Sequence, residues 1–171
     1  MRITRTLALL ATVAALACGG GGSDDDDDGN PTGPPTGGGA TNGSVTANIG
    51  GVNWSATGTV TVSRSNPNFI GLGASGFSGN SAYALVIGIA NATGPGSHNL
   101  NIYTGGGDGS SLIVGTQTIG YGTAFQGGSG TITITSLTAN RIVGTFSGTL
   151  VPSSGTGANL AVTNGQFDIT F

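Results

Sequence analysis

A chain of 171 residues with four basic and seven acidic side chains, and a formal charge of −3, contains neither lysine nor glutamate. That excludes a lysine-type phosphate loop, a Schiff-base lysine and a paired-glutamate glycosidase. Five of the seven acids form the run Asp24–Asp28, and beyond it only Arg64 and Arg141 are basic, so no basic footprint for nucleic acid exists.

In chain order, Arg2 and Arg5 precede an apolar run from Leu7 to Ala17 that ends in small residues against Cys18, the layout of a secretory signal peptide. The run is well short of the roughly 20 apolar residues a spanning helix needs. Ala15-Leu16-Ala17-Cys18 resembles a bacterial lipobox, with Ala15 where leucine is commonest. The resemblance implies that residues 1–17 are removed and that Cys18, the chain's only cysteine, becomes an acylated first residue held in the membrane. Residues 18–43 are rich in Gly, Asp and Pro, with too little apolar surface to repay ordering, and read as a disordered tether. Ser23 to Asp28 resembles the signal that sends some lipoproteins to the outer face of the outer membrane, here displaced behind four glycines. The aspartates otherwise read as a solvated spacer. Contiguous aspartates alternate direction along an extended chain, whereas calcium loops space their ligands, so no metal site is expected.

From Ser44 to Phe171 the chain reads as strands throughout. SVTANI, GTVTVS, NFIGLGAS, SAYALVIGIA, HNLNIY, SLIVGTQTI, GTITITSL, RIVGTFSGTL, NLAVT and GQFDITF are rich in β-branched and aromatic residues, and most alternate apolar with small polar positions. Turn signals separate them: Gly50-Gly51, Ser65 to Asn68, Asn91 to Gly96, Gly105 to Gly109, Ala139-Asn140, Pro152 to Gly155 and Asn164-Gly165. About ten short strands so punctuated predict an antiparallel β-sandwich, with a small β-barrel as the alternative. Asn164-Gly165 suits a two-residue type I′ hairpin turn between NLAVT and QFDITF. Phe167, Ile169 and Phe171 then share one face, and Gln166, Asp168 and Thr170 the other.

Ala47, Ile49, Gly51, Trp54 and Ala56 in ANIGGVNWSA, ITSLTANRIVGTFSGTL from Ile134 to Leu150, and VTNGQFDITF together resemble a family of small all-β bacterial lipoproteins whose domain has no assigned function. The similarity covers most of residues 45–171. It implies architecture, export and anchoring, and brings no catalytic residues.

The remaining chemistry is sparse. A serine hydrolase would need His98, the single histidine, with Asp108 or Asp168, but no G-x-S-x-G elbow occurs. His98 is instead expected to start a strand and expose its ring. One histidine without a free thiol cannot fill a zinc site, and no cofactor is expected. Gly105 to Gly109 reads as a hairpin loop.

Trp54 closes the first hairpin pattern and is either core or a platform for stacking a sugar ring, which Tyr83, Tyr103 and Tyr121 could join if the fold gathers them on one exposed face. With so little charge, the expected role is non-enzymatic: capture of a neutral polysaccharide, or a structural role with an envelope protein partner paired along an exposed edge such as GTITITSL. The terminal Phe171 resembles the end signal of outer-membrane barrels. Most strands fall short of the roughly 9 to 11 residues such a barrel needs.

Overall fold

A computed structural model describes residues 39–64, 68–100 and 108–171, without side chains for 39–41. The leader, Cys18, most of the tether, the Ser65–Pro67 part of a predicted turn, Tyr103 and the Gly105–Gly107 part of the glycine loop lie outside the described residues. All described pairing is antiparallel, among strands β1 (Gly39–Ile49), β2 (Val52–Ser55), β3 (Val60–Arg64), β4 (Phe69–Ser78), β5 (Ser81–Ala90), β6 (Gly96–Asn99), β7 (Ser111–Gly115), β8 (Gly120–Gly122), β9 (Ser129–Leu137), β10 (Arg141–Pro152) and β11 (Leu160–Thr170). No described residue is helical.

The strands form two sheets that enclose one core. One sheet runs β3-β4-β5-β7-β8; the other runs β2-β1-β11-β10-β9-β6. The long strands β1 and β10 serve both. Gly39 to Thr41 of β1 pair with β3, and Val151 and Pro152 of β10 pair with β8. These corner pairings are short, so the fold is a sandwich, not the closed barrel of the alternative. It follows from the alternation: Val60, Val62, Ile70, Leu72, Leu85, Ile87, Leu112 and Val114 point inward from one sheet, and Val45, Ile49, Ile132, Ile134, Ile142, Leu150, Val162, Phe167 and Ile169 from the other. Each such side chain contributes roughly 1.5–3 kcal/mol by leaving water.

Two expectations about boundaries change. The first strand begins at Gly39, ahead of Ser44, because its start is set by backbone pairing to β3 and needs no apolar side chain. The short β2 and β8 add two strands that propensity alone did not mark. The first hairpin does form as its glycines predict: Ile49 pairs with Val52, and Gly50 and Gly51 both carry positive φ, 60° and 88°, as a type I′ turn requires.

Asn164-Gly165 is not a turn. NLAVT and GQFDITF are one strand, β11, paired on both sides. Between Gly165 and Val162, β11 spends one residue more than β10, and between Gln166 and Thr163 one more than β1; this is a β-bulge, with Asn164 at φ 53°. Gly165 is required for space. A Cβ there would lie 2.4 Å from the Phe146 carbonyl oxygen and 2.5 Å from its ring, and one on Gly144 would lie 2.4 Å from the Phe167 ring.

Gly165→Ala should therefore destabilise the domain by about 1–3 kcal/mol or more through overpacking, whereas Gly155→Ala, at an exposed turn with open space, should cost only about 1 kcal/mol through its positive φ. Denaturant midpoints of the two variants check this. Equal losses would place Gly165 in a turn after all.

Candidate functional site

The described sequence-predicted residues, Trp54, Tyr83 and Tyr121, do not form one exposed face. Trp54 is 3% exposed: it points inward from β2, and its Nε1 lies buried against Gly76 of β4 with no acceptor among the described residues. It is therefore core, and its ring is not the expected sugar platform. Tyr83 on β5 and Tyr121 on β8 are half-buried against the core of the opposite sheet. The fourth aromatic, Tyr103, is not described.

His98 departs furthest from expectation. Its register on β6, opposite Ile132, turns the ring inward, where it is 7% exposed instead of open to water. Nδ1–H donates to Asp108 Oδ2 at 2.7 Å, and Asp108 Oδ1 accepts the Ser110 N–H at 3.0 Å. The carboxylate thus holds the imidazole proton on Nδ1. Burial works to raise the Asp108 carboxyl, but hydrogen bonds from the Ser110 hydroxyl and N–H, and then from His98, outweigh it and hold the group below its ordinary 3.8. Ser110 is fully buried, its N–H on the carboxylate and its hydroxyl accepting the Ala90 N–H at 3.0 Å. Its backbone and side-chain polar groups are thus engaged with Asp108 and Ala90. The His98-Asp108-Ser110 cluster ties β6 and the start of β7 to the end of β5.

The other described charges are also engaged. Arg141 Nε and Nη2 donate to Asp168 at 2.9 and 2.7 Å across β10 and β11, and these bonds come first in holding the Asp168 carboxyl below its ordinary value. Arg64 donates to the Thr138 carbonyl at 3.1 Å and lies 4.2 Å from the centre of the Phe171 ring, the edge of a cavity of about 300 Å³ that includes Ile70, Ala92 and Leu137. No group of three or more potential metal ligands occurs among the described residues.

A second concavity, about 340 Å³, lies where β2 crosses the end of β4. Ser78 Oγ donates to the Asn53 carbonyl at 2.8 Å, and the Thr57 and Gly58 N–H groups share the Ser75 carbonyl, which fixes the crossing. Trp54 and Ala47 form its floor; Thr46, Asn48, Asn53, Ser55 and Asn164 supply polar walls; Phe77 forms the lip, its ring 64% exposed. Asn48 Nδ2 donates to Asn53 Oδ1 at 3.1 Å, which leaves further donor and acceptor capacity on both amides. Asn164 reaches this groove because of the bulge. No charged residue lines it among the described residues.

Phe77 was missed from sequence. The alternation in FIGLGASGFS sets it, with Phe69, on the face opposite Ile70 and Leu72 and so marks it as outward.

GTITITSL is also not a free edge. It forms β9 and is paired to β10 on one side and β6 on the other. Among the described residues the edges of that sheet are β2 and β6, each four residues long.

Because the Asp108 carboxyl is depressed, its contribution to stability is fully present above its ordinary 3.8 and is lost as pH falls below that through its folded value. Asp108→Asn should lower stability at neutral pH and shallow the fall in denaturant midpoint as pH drops below about 4. A variant with the wild-type acid limb would remove Asp108 from that linkage. Compared with known protein families, curated proteins and solved structures, the chain gives no match in any of the three.

Proposed function

We propose that this chain is an outer-membrane lipoprotein, exported and anchored through acylated Cys18, whose β-sandwich acts without catalysis to capture a neutral, hydroxyl-rich polysaccharide. What carries the ligand reading is Phe77: a large ring left 64% exposed beside a groove walled by three asparagines, a threonine and a serine. An aromatic face for the C–H side of a sugar ring, with amide and hydroxyl groups beside it for its hydroxyls, is the combination such ligands need. The groove's volume lies at the small end of ligand sites, enough for one or two sugar units. The lack of charge favours a neutral partner over an ionic one, and the short edge strands β2 and β6 disfavour capture of an envelope protein by strand addition. The anchoring reading rests on the lipobox-like Ala15-Leu16-Ala17-Cys18 and the Asp/Gly/Pro-rich stretch after it.

A neutral-glycan array probed with the full chain should return binding that is little changed by salt. Phe77→Ala should weaken that binding at least about tenfold, while shifting stability by no more than about 0.5 kcal/mol, as suits an exposed residue. An array blank for neutral glycans, or binding unaffected by Phe77→Ala, would contradict the groove reading. Cys18→Ala should move the protein from the membrane to the soluble fraction, and mass spectrometry of the wild type should find acyl chains on an amino-terminal Cys18. An unacylated start elsewhere would end the anchoring claim.

A further inference from the structure

The register of the sheet that carries the groove aligns polar side chains strand by strand. Ser97 of β6 pairs with Thr133 of β9, Thr133 with Thr145 of β10, Thr145 with Gln166 of β11, Gln166 with Thr46 of β1, and Thr46 with Ser55 of β2. These six residues form one unbroken row across six strands, all on the outer face, because their chain neighbours His98, Ile132, Ile134, Gly144, Phe146, Gly165, Phe167, Val45, Ala47 and Trp54 are buried. Beside it runs a second row: Asn99 pairs with Thr131, Thr131 with Ser147, and Asn48 with both Thr163 and Asn53, with the β11 bulge between Ser147 and Asn48. Every member of both rows is Ser, Thr, Asn or Gln. Thr46 and Ser55 of the first row, and Asn48 and Asn53 of the second, are also walls of the groove.

We propose that the groove is one end of a binding path for an extended, uncharged polysaccharide chain lying across this sheet from β2 to β6. The proposal rests on the groove reading above and adds the ligand's polymeric form and direction. Strands stand about 4.8 Å apart, so six span about 24 Å. That repeat is comparable to the length of one pyranose unit, so each strand presents a hydroxyl or amide to successive sugars. The sheet's twist of roughly 20–25° per strand turns the row into a curved track, which a flexible polymer can follow and a flat crystal face cannot. The threonines are β-branched and stiff at χ1, so little freedom is lost on contact; Ser97 and Thr133 already hold each other through a 3.1 Å hydroxyl contact. A second copy of the chain fits this surface poorly, since neither row offers the apolar and aromatic side chains that fill the centre of a protein interface. Among the described residues only the groove end has an aromatic anchor, so binding should begin there and strengthen with length.

The test is a length ladder of neutral β-glucan and dextran oligosaccharides, from disaccharide to octasaccharide, titrated calorimetrically against the full chain and against a Thr133→Val, Thr145→Val double variant. Valine keeps the β-branch and removes the hydroxyl at two exposed or half-exposed sites on β9 and β10 that do not line the groove; circular dichroism melting confirms the variant is folded. In the wild type, affinity should rise at least about tenfold from the shortest to the longest binder. The double variant should bind the disaccharide as the wild type does and lose about tenfold on the octasaccharide, as expected for two lost hydrogen bonds. Length-independent affinity that still needs Phe77 would overturn the path and leave the groove standing, as would a double variant unchanged on long chains. Failure of every oligosaccharide to bind would overturn both. A wild-type dimer that the double variant converts to monomer in sedimentation would give the face to a second copy and overturn the path.

Discussion

Two phenylalanine-glycine pairs facing opposite ways set the register on which the rest of this sandwich depends. Gly144 of β10 lies opposite Phe167 of β11, and two residues on, Phe146 of β10 lies opposite Gly165 of β11. Each ring covers the glycine across from it, and the two rings stack 6.3 Å apart at 21°. A slip of one residue would put a ring against a side chain that has no room for it and would turn the inner face outward. The residue between each pair, Thr145 on one strand and Gln166 on the other, is thereby fixed opposite its partner on the solvent side. Core packing and the outer polar row are two faces of one register.

The scarcity of charge works in the same direction. With Asp108 joined to His98, Arg141 to Asp168 and Arg64 held at Thr138 and Phe171, the described domain engages its ionic groups internally or with one another. The outer face of the β2-to-β6 sheet is left mainly to hydroxyls and amides, with the Arg141-Asp168 pair, Val143 and Ala161 among them. Stability must then come from apolar burial and backbone pairing, as the tightly filled inner faces show. The short edge strands limit unwanted pairing without the lysines that many sheets use.

Much of the architecture was legible because alternation is a local property. SAYALVIGIA coincides with β5, and Phe167 and Ile169 are buried on the face assigned to them, with Phe171 packed at its end. What was not legible depended on partners distant in sequence. Asn164 satisfies the same local demand in a bulge as in a hairpin turn, a residue that tolerates positive φ, and only pairing to β1 and β10 at once distinguishes the two. His98 looked exposed because its strand is short and polar; opposite Ile132 it turns inward, and its partner Asp108 lies ten positions along the chain. Trp54 is buried and Phe77 exposed where β2 crosses β4, a contact that neither segment announces. The threonines of GTITITSL could be set on one face from sequence, but their alignment with Gln166 and Thr46 required the register.

The central claim is that recognition belongs to the outer face of the β2-to-β6 sheet, entered at Phe77. Amide chemical-shift mapping of the isotopically labelled chain during titration with a neutral oligosaccharide tests it most directly. The account predicts shifts that begin at Asn48, Asn53, Ser55, Phe77 and Asn164, with the outward residues around Val86 and Ile113 on the opposite sheet unmoved. Shifts centred on that opposite sheet, or on the cavity beside Arg64 and Leu137, would contradict it.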